Sequence, residues 1–304
     1  MHYEISPDSK LTIAEIADIL QHNRPLKLSD KSANLILKCR DFLDSRMAES
    51  GDPIYGINTG FGALCNTIID DDQLESLQRN LLLSHACGMG EEVPSDIVRL
   101  MILLKIKGLS FGHSGVQLET VNRLIDFFNE GVVPIVYSQG SLGASGDLSP
   151  LSHLCLPLLG EGEVILDGKR MSGAEMNASK GWQPIRLKSK EGLALINGTQ
   201  FMSAFATHCV LLGEKLMRGG EVIAAMALEA FDGRPEPFDN SLHSIRNHHG
   251  QQSVASRILT MLSGSEIIAQ KKEHVQDPYS FRCIPQVHGA SWDAMQYTKQ
   301  VVEV

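Results

Sequence analysis

The sequence predicts a mainly α-helical fold on three observations. Apolar residues recur at helical spacing along most of the chain, strand-type alternation is confined to one short stretch, and caps and stops punctuate the pattern. Thr12 is placed to cap a first short helix with Ile13, Ile16, Ala17 and Leu20 on one face. Ser29 opens a second that runs to about Ala48. Asp70 and Gln73 form a capping-box pattern before Leu74, Leu77, Leu81 and His85, which share one stripe. Pro94 and Ser95 start a helix through about Ser110. Val121, Leu124, Ile125 and Phe128 mark the buried face of another that stops at Gly131, with Pro134 beyond it. EVILDGKRM (163–171) predicts a hairpin around an Asp-Gly turn. From Lys190 to Leu216 the pattern is long and apolar, interrupted by Gly198, and further helices are expected from Gly220 and from Gln251. There is no internal repeat or linker. Residues 1–190 read as a head region packed on a bundle of long helices that begins in 191–304.

With 304 residues, 43% of them apolar, the chain has enough material for a large core in one or two domains. Its 27 Lys and Arg against 36 Asp and Glu leave a net charge of -9, which repels phosphate backbones and anionic lipid surfaces. Nucleic-acid and membrane partners are therefore not expected. Cys39, Cys65, Cys87, Cys155, Cys209 and Cys283 form no C-x-x-C pair, so reduced thiols are expected rather than a disulfide framework. His243, His248 and His249 have spacings that place no two ligands on one helix face, and no metal is expected; they read as surface residues. MHYEISPDSK lacks the apolar core of a signal peptide, and no apolar run approaches the ~18 residues of a membrane span. A cytoplasmic protein is expected.

The most unusual stretch is YSQGSLGASGDLSPL (137–151), in which Gly140, Gly143 and Gly146 free the backbone for close approach. It lacks the spacing of a phosphate loop, of a dinucleotide fingerprint and of the G-x-S-x-G elbow of serine hydrolases. Two readings remain. One is an ordinary loop before a helix, with Asp147 or Ser149 as cap and Pro150 in the first turn. The other is internal cyclisation. The Gly146 nitrogen attacks the Ala144 carbonyl carbon, and loss of two waters leaves a five-membered ring with an exocyclic methylidene derived from Ser145. The product is a 4-methylideneimidazol-5-one, an electrophile, and Asp147 could assist the proton transfers.

GSLGASGDLSPL resembles the signature of the aromatic amino acid ammonia-lyases and aminomutases, which build this group from an Ala-Ser-Gly triplet. Four more segments match that family in order: YGINTGFG (55–62), LLLSHACGMGE (81–91), INGTQ (196–200) and VQDPYSFRCIPQVHGA (275–290). The resemblance runs from about Tyr3 to the end of the chain. It implies a mainly α head-and-bundle fold and an electrophile made from Ala144, Ser145 and Gly146, with no external cofactor. Since family members continue past the point that aligns with Val304, the C-terminal part of the family fold is expected to be absent here. That part supplies a phenylalanine and an acidic residue of the substrate pocket, which puts the activity of this chain alone in question.

The resemblance also assigns roles that the residues alone leave open. Tyr55 and Tyr279 become the catalytic tyrosines, where composition would allow plain loop aromatics. Arg282 becomes the partner of the substrate carboxylate, a bidentate task that lysine cannot copy. Asn197, read as a buried amide in an apolar run, and Gln276 become substrate-binding groups. His85, otherwise a core histidine, faces the substrate ring together with Ser84. Ser-His is the pairing typical of histidine ammonia-lyases. The implied reaction is elimination of ammonia from L-histidine to trans-urocanate by a homotetramer. A tyrosine or phenylalanine ammonia-lyase or aminomutase, and a noncatalytic helical fragment or paralogue, are the alternatives.

Overall fold

The computed structural model describes residues 2–49, 52–61, 66–70 and 73–304; Gly62 of the YGINTGFG segment and Cys65 lie outside them. The chain forms two compact units, Met1–Phe205 and Ala206–Val304. As expected, helices dominate. The first unit opens with β1 (Tyr3–Ile5), α1 (Ile13–Gln21), β2 (Leu26–Leu28) and α2 (Asp30–Glu49). Thr12 makes a full capping box with Glu15. At the start of α2, the Ser29 hydroxyl accepts the Ser32 N–H at 3.1 Å. The parallel pairing of β1 with β2 was not expected, because three-residue strands carry too little alternation to be legible.

Next come α3 (Leu74–His85), β3 (Met89–Glu92), α4 (Ser95–Leu109) and α5 (Leu118–Asn129). Contrary to the capping-box expectation, the N-cap of α3 is Gln73, which makes no side-chain cap bond, and the Asp70 carbonyl accepts the Gln73 N–H. Helix α4 is buried almost all round, through Leu100, Met101, Ile102, Leu103 and Ile106, and α5 lies against it. Together they form the centre of this unit.

β4 (Val133–Pro134), β5 (Tyr137–Gln139), α6 (Leu148–Cys155), β6 (Glu163–Leu166), β7 (Lys169–Ser172) and α7 (Gly173–Lys180) follow. The hairpin β6–β7 turns at Asp167 and Gly168, both at positive φ. β4 adds a third strand to it, and β3 pairs with β5. The unit closes with α8 (Glu191–Ile196), the break at Asn197–Gly198, and the start of α9 (Gln200–Ala230). The boundary falls after Phe205 rather than at 190 because residues 190–202 are tied to the first unit. Lys190 Nζ donates to the Ser114 carbonyl, and the Met202 N–H donates to Asp147.

The helix expected from Gly220 does not exist as a separate element, since α9 runs through Gly219 and Gly220 without interruption. Two helical glycines cost about 1 kcal/mol each, less than the burial of Leu228 and Ala225 beyond them returns. The second unit contains the rest of α9, α10 (Asn240–Ser244), α11 (His249–Leu262), α12 (Tyr279–Arg282) and α13 (Ile284–Val302). Its core is Leu228, Phe238, Val254, Ile258, Ile284 and Trp292. Within it, the buried Glu221 carboxylate accepts two bonds from Arg257 and one from the Trp292 indole. His243 is not a surface residue. It is buried with Nε2 on the Pro237 carbonyl and Nδ1 accepting from Gln251 Nε2.

Candidate active site

The Ala144-Ser145-Gly146 triplet sits between β5 and α6, with Ala144 and Ser145 exposed and Gly146 half-buried. Gly140, Gly143 and Gly146 all take positive φ, at 137°, 76° and 100°. At Gly146 glycine is obligatory for a second reason: a Cβ there would lie 2.5 Å from the Gly198 carbonyl oxygen. That same oxygen accepts the Asp147 N–H at 2.7 Å, so the triplet is pressed against the break between α8 and α9. Gly198 itself has φ 146°, and a Cβ on it would meet Gln200 Oε1 at 2.2 Å. Gly146 is the residue whose bare backbone permits the approach, and Gly198 meets a separate demand, its own positive φ. A residue without a side chain at 146 is what formation of the methylidene-imidazolone calls for, and on that count the residues present fit the group.

The loop-and-cap reading of this stretch is only half met. Asp147 is the residue before α6, but its carboxylate does not cap that helix. Oδ1 accepts from Ser141 Oγ at 2.8 Å and Oδ2 from the Met202 N–H at 3.0 Å. Beyond it, His153 on α6 accepts the Gly88 N–H on Nε2 at 3.0 Å and stands edge-on to Tyr137. Burial holds the His153 imidazole below its ordinary pKa, which suits a neutral acceptor.

Gly88 follows the segment that carries His85. The His85 ring lies at the last turn of α3, half-buried, with Nδ1 at 2.9 Å from the Leu81 carbonyl and 3.1 Å from Ser84 Oγ. A carbonyl has no proton to give, so the neutral ring carries its proton on Nδ1 and keeps Nε2 as acceptor. Tyr55 is 57% exposed and meets Phe61 edge-on, in a turn where Gly56 at φ 71° packs against Leu193 of α8. Asn197 is half-buried rather than fully buried, and its Nδ2 donates to the Leu193 carbonyl at 3.1 Å.

Tyr279, Arg282 and Gln276 belong to the second unit. Tyr279 and Arg282 form the single turn of α12, which places the guanidinium 4.3 Å from the centre of the Tyr279 ring. Arg282 Nε donates to the Asp277 carbonyl at 2.7 Å. The Asp277 side chain is buried and accepts from the Arg234 N–H at 2.6 Å and from His274 Nε2 at 2.5 Å, which anchors the loop. Gln276 and Arg282 line a cavity of about 400 Å³ together with Arg234, His243 and Gln286.

Sequence reasoning missed the tether beneath the triplet. Glu191, at the start of α8, accepts from the Gln117 backbone, the Gln117 side chain, Thr120 and the Lys188 N–H. At the other end, buried Lys105 donates to the carbonyls of Ala194 and Asn197. A lysine inside the apolar run MILLKI was the available signal.

The chain is thus mainly α and places a glycine-flanked Ala-Ser-Gly turn against the break that ends α8. The family model for aromatic amino acid lyases matches residues 11–304, and the chain belongs to that family. It is 46% identical over 97% of its length to a histidine ammonia-lyase of Geobacillus thermodenitrificans. The crystal structure of histidine ammonia-lyase from Trypanosoma cruzi superposes with a TM-score of 0.88 at 35% identity, covering all of this chain and 57% of that one. An ergothionase from Treponema denticola superposes with a TM-score of 0.92 at 29% identity. The chain spans 58% of the length of the Geobacillus relative.

Proposed function

We propose that the protein is a histidine ammonia-lyase, eliminating ammonia from L-histidine to give trans-urocanate. The observation that carries this reading is the close approach of Gly146 to Gly198, where a Cβ at 146 would lie 2.5 Å from the Gly198 carbonyl oxygen and only glycine fits, the residue whose nitrogen the cyclisation uses. The ring formed from Ala144, Ser145 and Gly146 supplies an electrophile that no ordinary side chain offers. Family membership and the identity to histidine ammonia-lyases support both the chemistry and the substrate.

The remaining roles belong to the chain's own side chains. Arg282 has its Nε committed to Asp277, so its two Nη groups hold the substrate carboxylate end-on. Tyr279, beneath that guanidinium, removes the β proton, and Tyr55 handles the proton of the departing amine. His85 offers Nε2 to the N–H of the substrate imidazole, while Asn197 and Gln276 bind its polar groups. No described helix is long and apolar enough to cross a membrane. Action in the cytoplasm as a homotetramer is part of the proposal, and exposed Leu216, Ile223 and Met226 along α9 are the kind of surface such an assembly covers.

Intact mass and turnover test the reading together. The full-length protein should weigh about 36 Da less than its encoded sequence, the mass of two waters, and should form urocanate from histidine. Ser145→Ala should lose both properties. A full-length protein of unmodified mass, or one that makes urocanate equally well without Ser145, refutes it.

A further inference from the structure

Lys105 is the one cation in the fully buried part of α4, among Met101, Ile102 and Ile106 and beside Cys155 of α6. Burying an ammonium costs several kcal/mol unless its protons are well placed, so a lysine kept there calls for a reason beyond packing. Its Nζ reaches out of the apolar layer to two carbonyls, Ala194 at 2.7 Å and Asn197 at 3.2 Å. Both belong to the last turn of α8 and the residue that ends it, where carbonyls have no partner within the helix and the dipole is negative.

The next residue is Gly198, whose carbonyl takes the Asp147 N–H and lies against Gly146. The path from Nζ to the triplet is therefore short: ammonium, Asn197 carbonyl, Gly198 carbonyl, Asp147 N–H. The opposite end of α8 is fixed independently by Glu191 on Thr120 and Gln117, and by Gln78 Oε1 on the Gly192 N–H. With its first turn fixed, a six-residue helix has freedom left only at its C-terminal end. Lys105 removes it.

We propose that Lys105 is a positioning residue for electrophile formation: by gripping the Ala194 and Asn197 carbonyls it holds the Gly198 carbonyl against Gly146 and keeps the Ala144-Ser145-Gly146 turn compressed enough to cyclise. The inference rests on the ammonia-lyase reading and extends it to a residue that never touches substrate. Desolvation pulls the Lys105 pKa down to about 8, while burial pushes the neighbouring Cys155 thiol up to about 12. Either protonation state of the amine still has N–H groups to give to two carbonyls.

The test compares Lys105→Met with Cys155→Ala in the full-length protein, the second removing core contacts at the same place without touching the two carbonyls. Folding is checked by circular dichroism and thermal melting, and the ring by the fraction of chains about 36 Da light. In folded Lys105→Met that fraction should fall at least about tenfold, with kcat per total protein falling in proportion and KM unchanged, because uncyclised chains are simply inactive. Cys155→Ala should stay within about twofold of wild type on both measures even if its melting temperature drops as far. Lys105→Gln, whose amide keeps N–H donors on a shorter, uncharged side chain, should cyclise to an intermediate extent, and it carries the test if the Met variant does not fold. Wild-type yield in folded Lys105→Met or Lys105→Gln overturns the inference, as does an equal loss in Cys155→Ala. An unmodified wild-type protein instead sinks the ammonia-lyase reading beneath it.

Discussion

The carboxylate of Asp147 caps a helix that is not its own. Its Oδ2 accepts the Met202 N–H at 3.0 Å in the first turn of α9, while its own helix, α6, receives no side-chain cap from it. A negative charge at that end of a 31-residue helix meets the positive end of the dipole. The same residue donates its N–H to Gly198, so one amino acid ties the triplet to α9 by its side chain and to the α8 break by its backbone.

Asp147→Asn should therefore weaken folding and the site together. Asparagine keeps a single acceptor for two donors, Met202 N–H and Ser141 Oγ, and removes the charge. We expect a loss of about 1 to 2 kcal/mol in urea denaturation. The light-mass fraction should drop in the same variant. Unchanged stability would show that the cap is dispensable.

Elements with a long period or a strong cap were legible in advance. Thr12, Ser29, the Asp167-Gly168 turn and the break at Gly198 all act through neighbours in sequence. The failures were tertiary. Gly219 and Gly220 look like a helix boundary locally, and only burial of the residues beyond them keeps α9 whole. His243 looks like a surface histidine until Pro237 and Gln251 enclose it. The candidate site residues come from the resemblance, but the support from Lys105, Glu191 and His153 joins positions 65 to 92 residues apart, which no local pattern encodes.

His153 gives the protein a pH dependence of known sign. Its ordinary pKa of 6.5 is lowered in the folded state by burial, so the unfolded chain binds the proton more readily. Its contribution to stability is present above 6.5 and is lost as pH falls below that value through the folded pKa. Protonation at Nε2 also removes the acceptor of the Gly88 N–H. Melting temperatures of wild type and His153→Gln, measured from pH 7.5 to 5, should converge toward the acid end. Parallel curves would remove His153 as the cause.

Arg282 should resist conservative replacement. Lysine preserves the charge, but it lacks both the planar fork and the Nε that holds the Asp277 carbonyl. In Arg282→Lys we expect kcat/KM to fall by a factor of about 5 to 150, corresponding to about 1 to 3 kcal/mol of transition-state stabilisation. The melting temperature should change little, because the residue sits in a four-residue helix at the edge of the second unit's core. An unaltered kcat/KM would assign the carboxylate to another cation.

Substrate choice should turn on His85. Its Nδ1 is held by the Leu81 carbonyl, which orients the ring and leaves Nε2 as an acceptor in the neutral form. Histidine presents an imidazole N–H to that nitrogen and tyrosine a phenol O–H, whereas the ring of phenylalanine presents neither. A desolvated acceptor left without a donor costs about 1 to 3 kcal/mol, so phenylalanine should be disfavoured by roughly 5- to 150-fold. His85→Leu removes the acceptor and should shift the ratio of kcat/KM for histidine over phenylalanine toward phenylalanine by a similar factor, whereas His85→Gln should retain part of the original preference. The measurement is the rate of urocanate, coumarate and cinnamate formation by full-length wild type and both variants. If His85→Leu leaves the ratio unchanged, His85 does not read the ring; if wild type prefers tyrosine, the acceptor argument stands while the assignment to histidine falls.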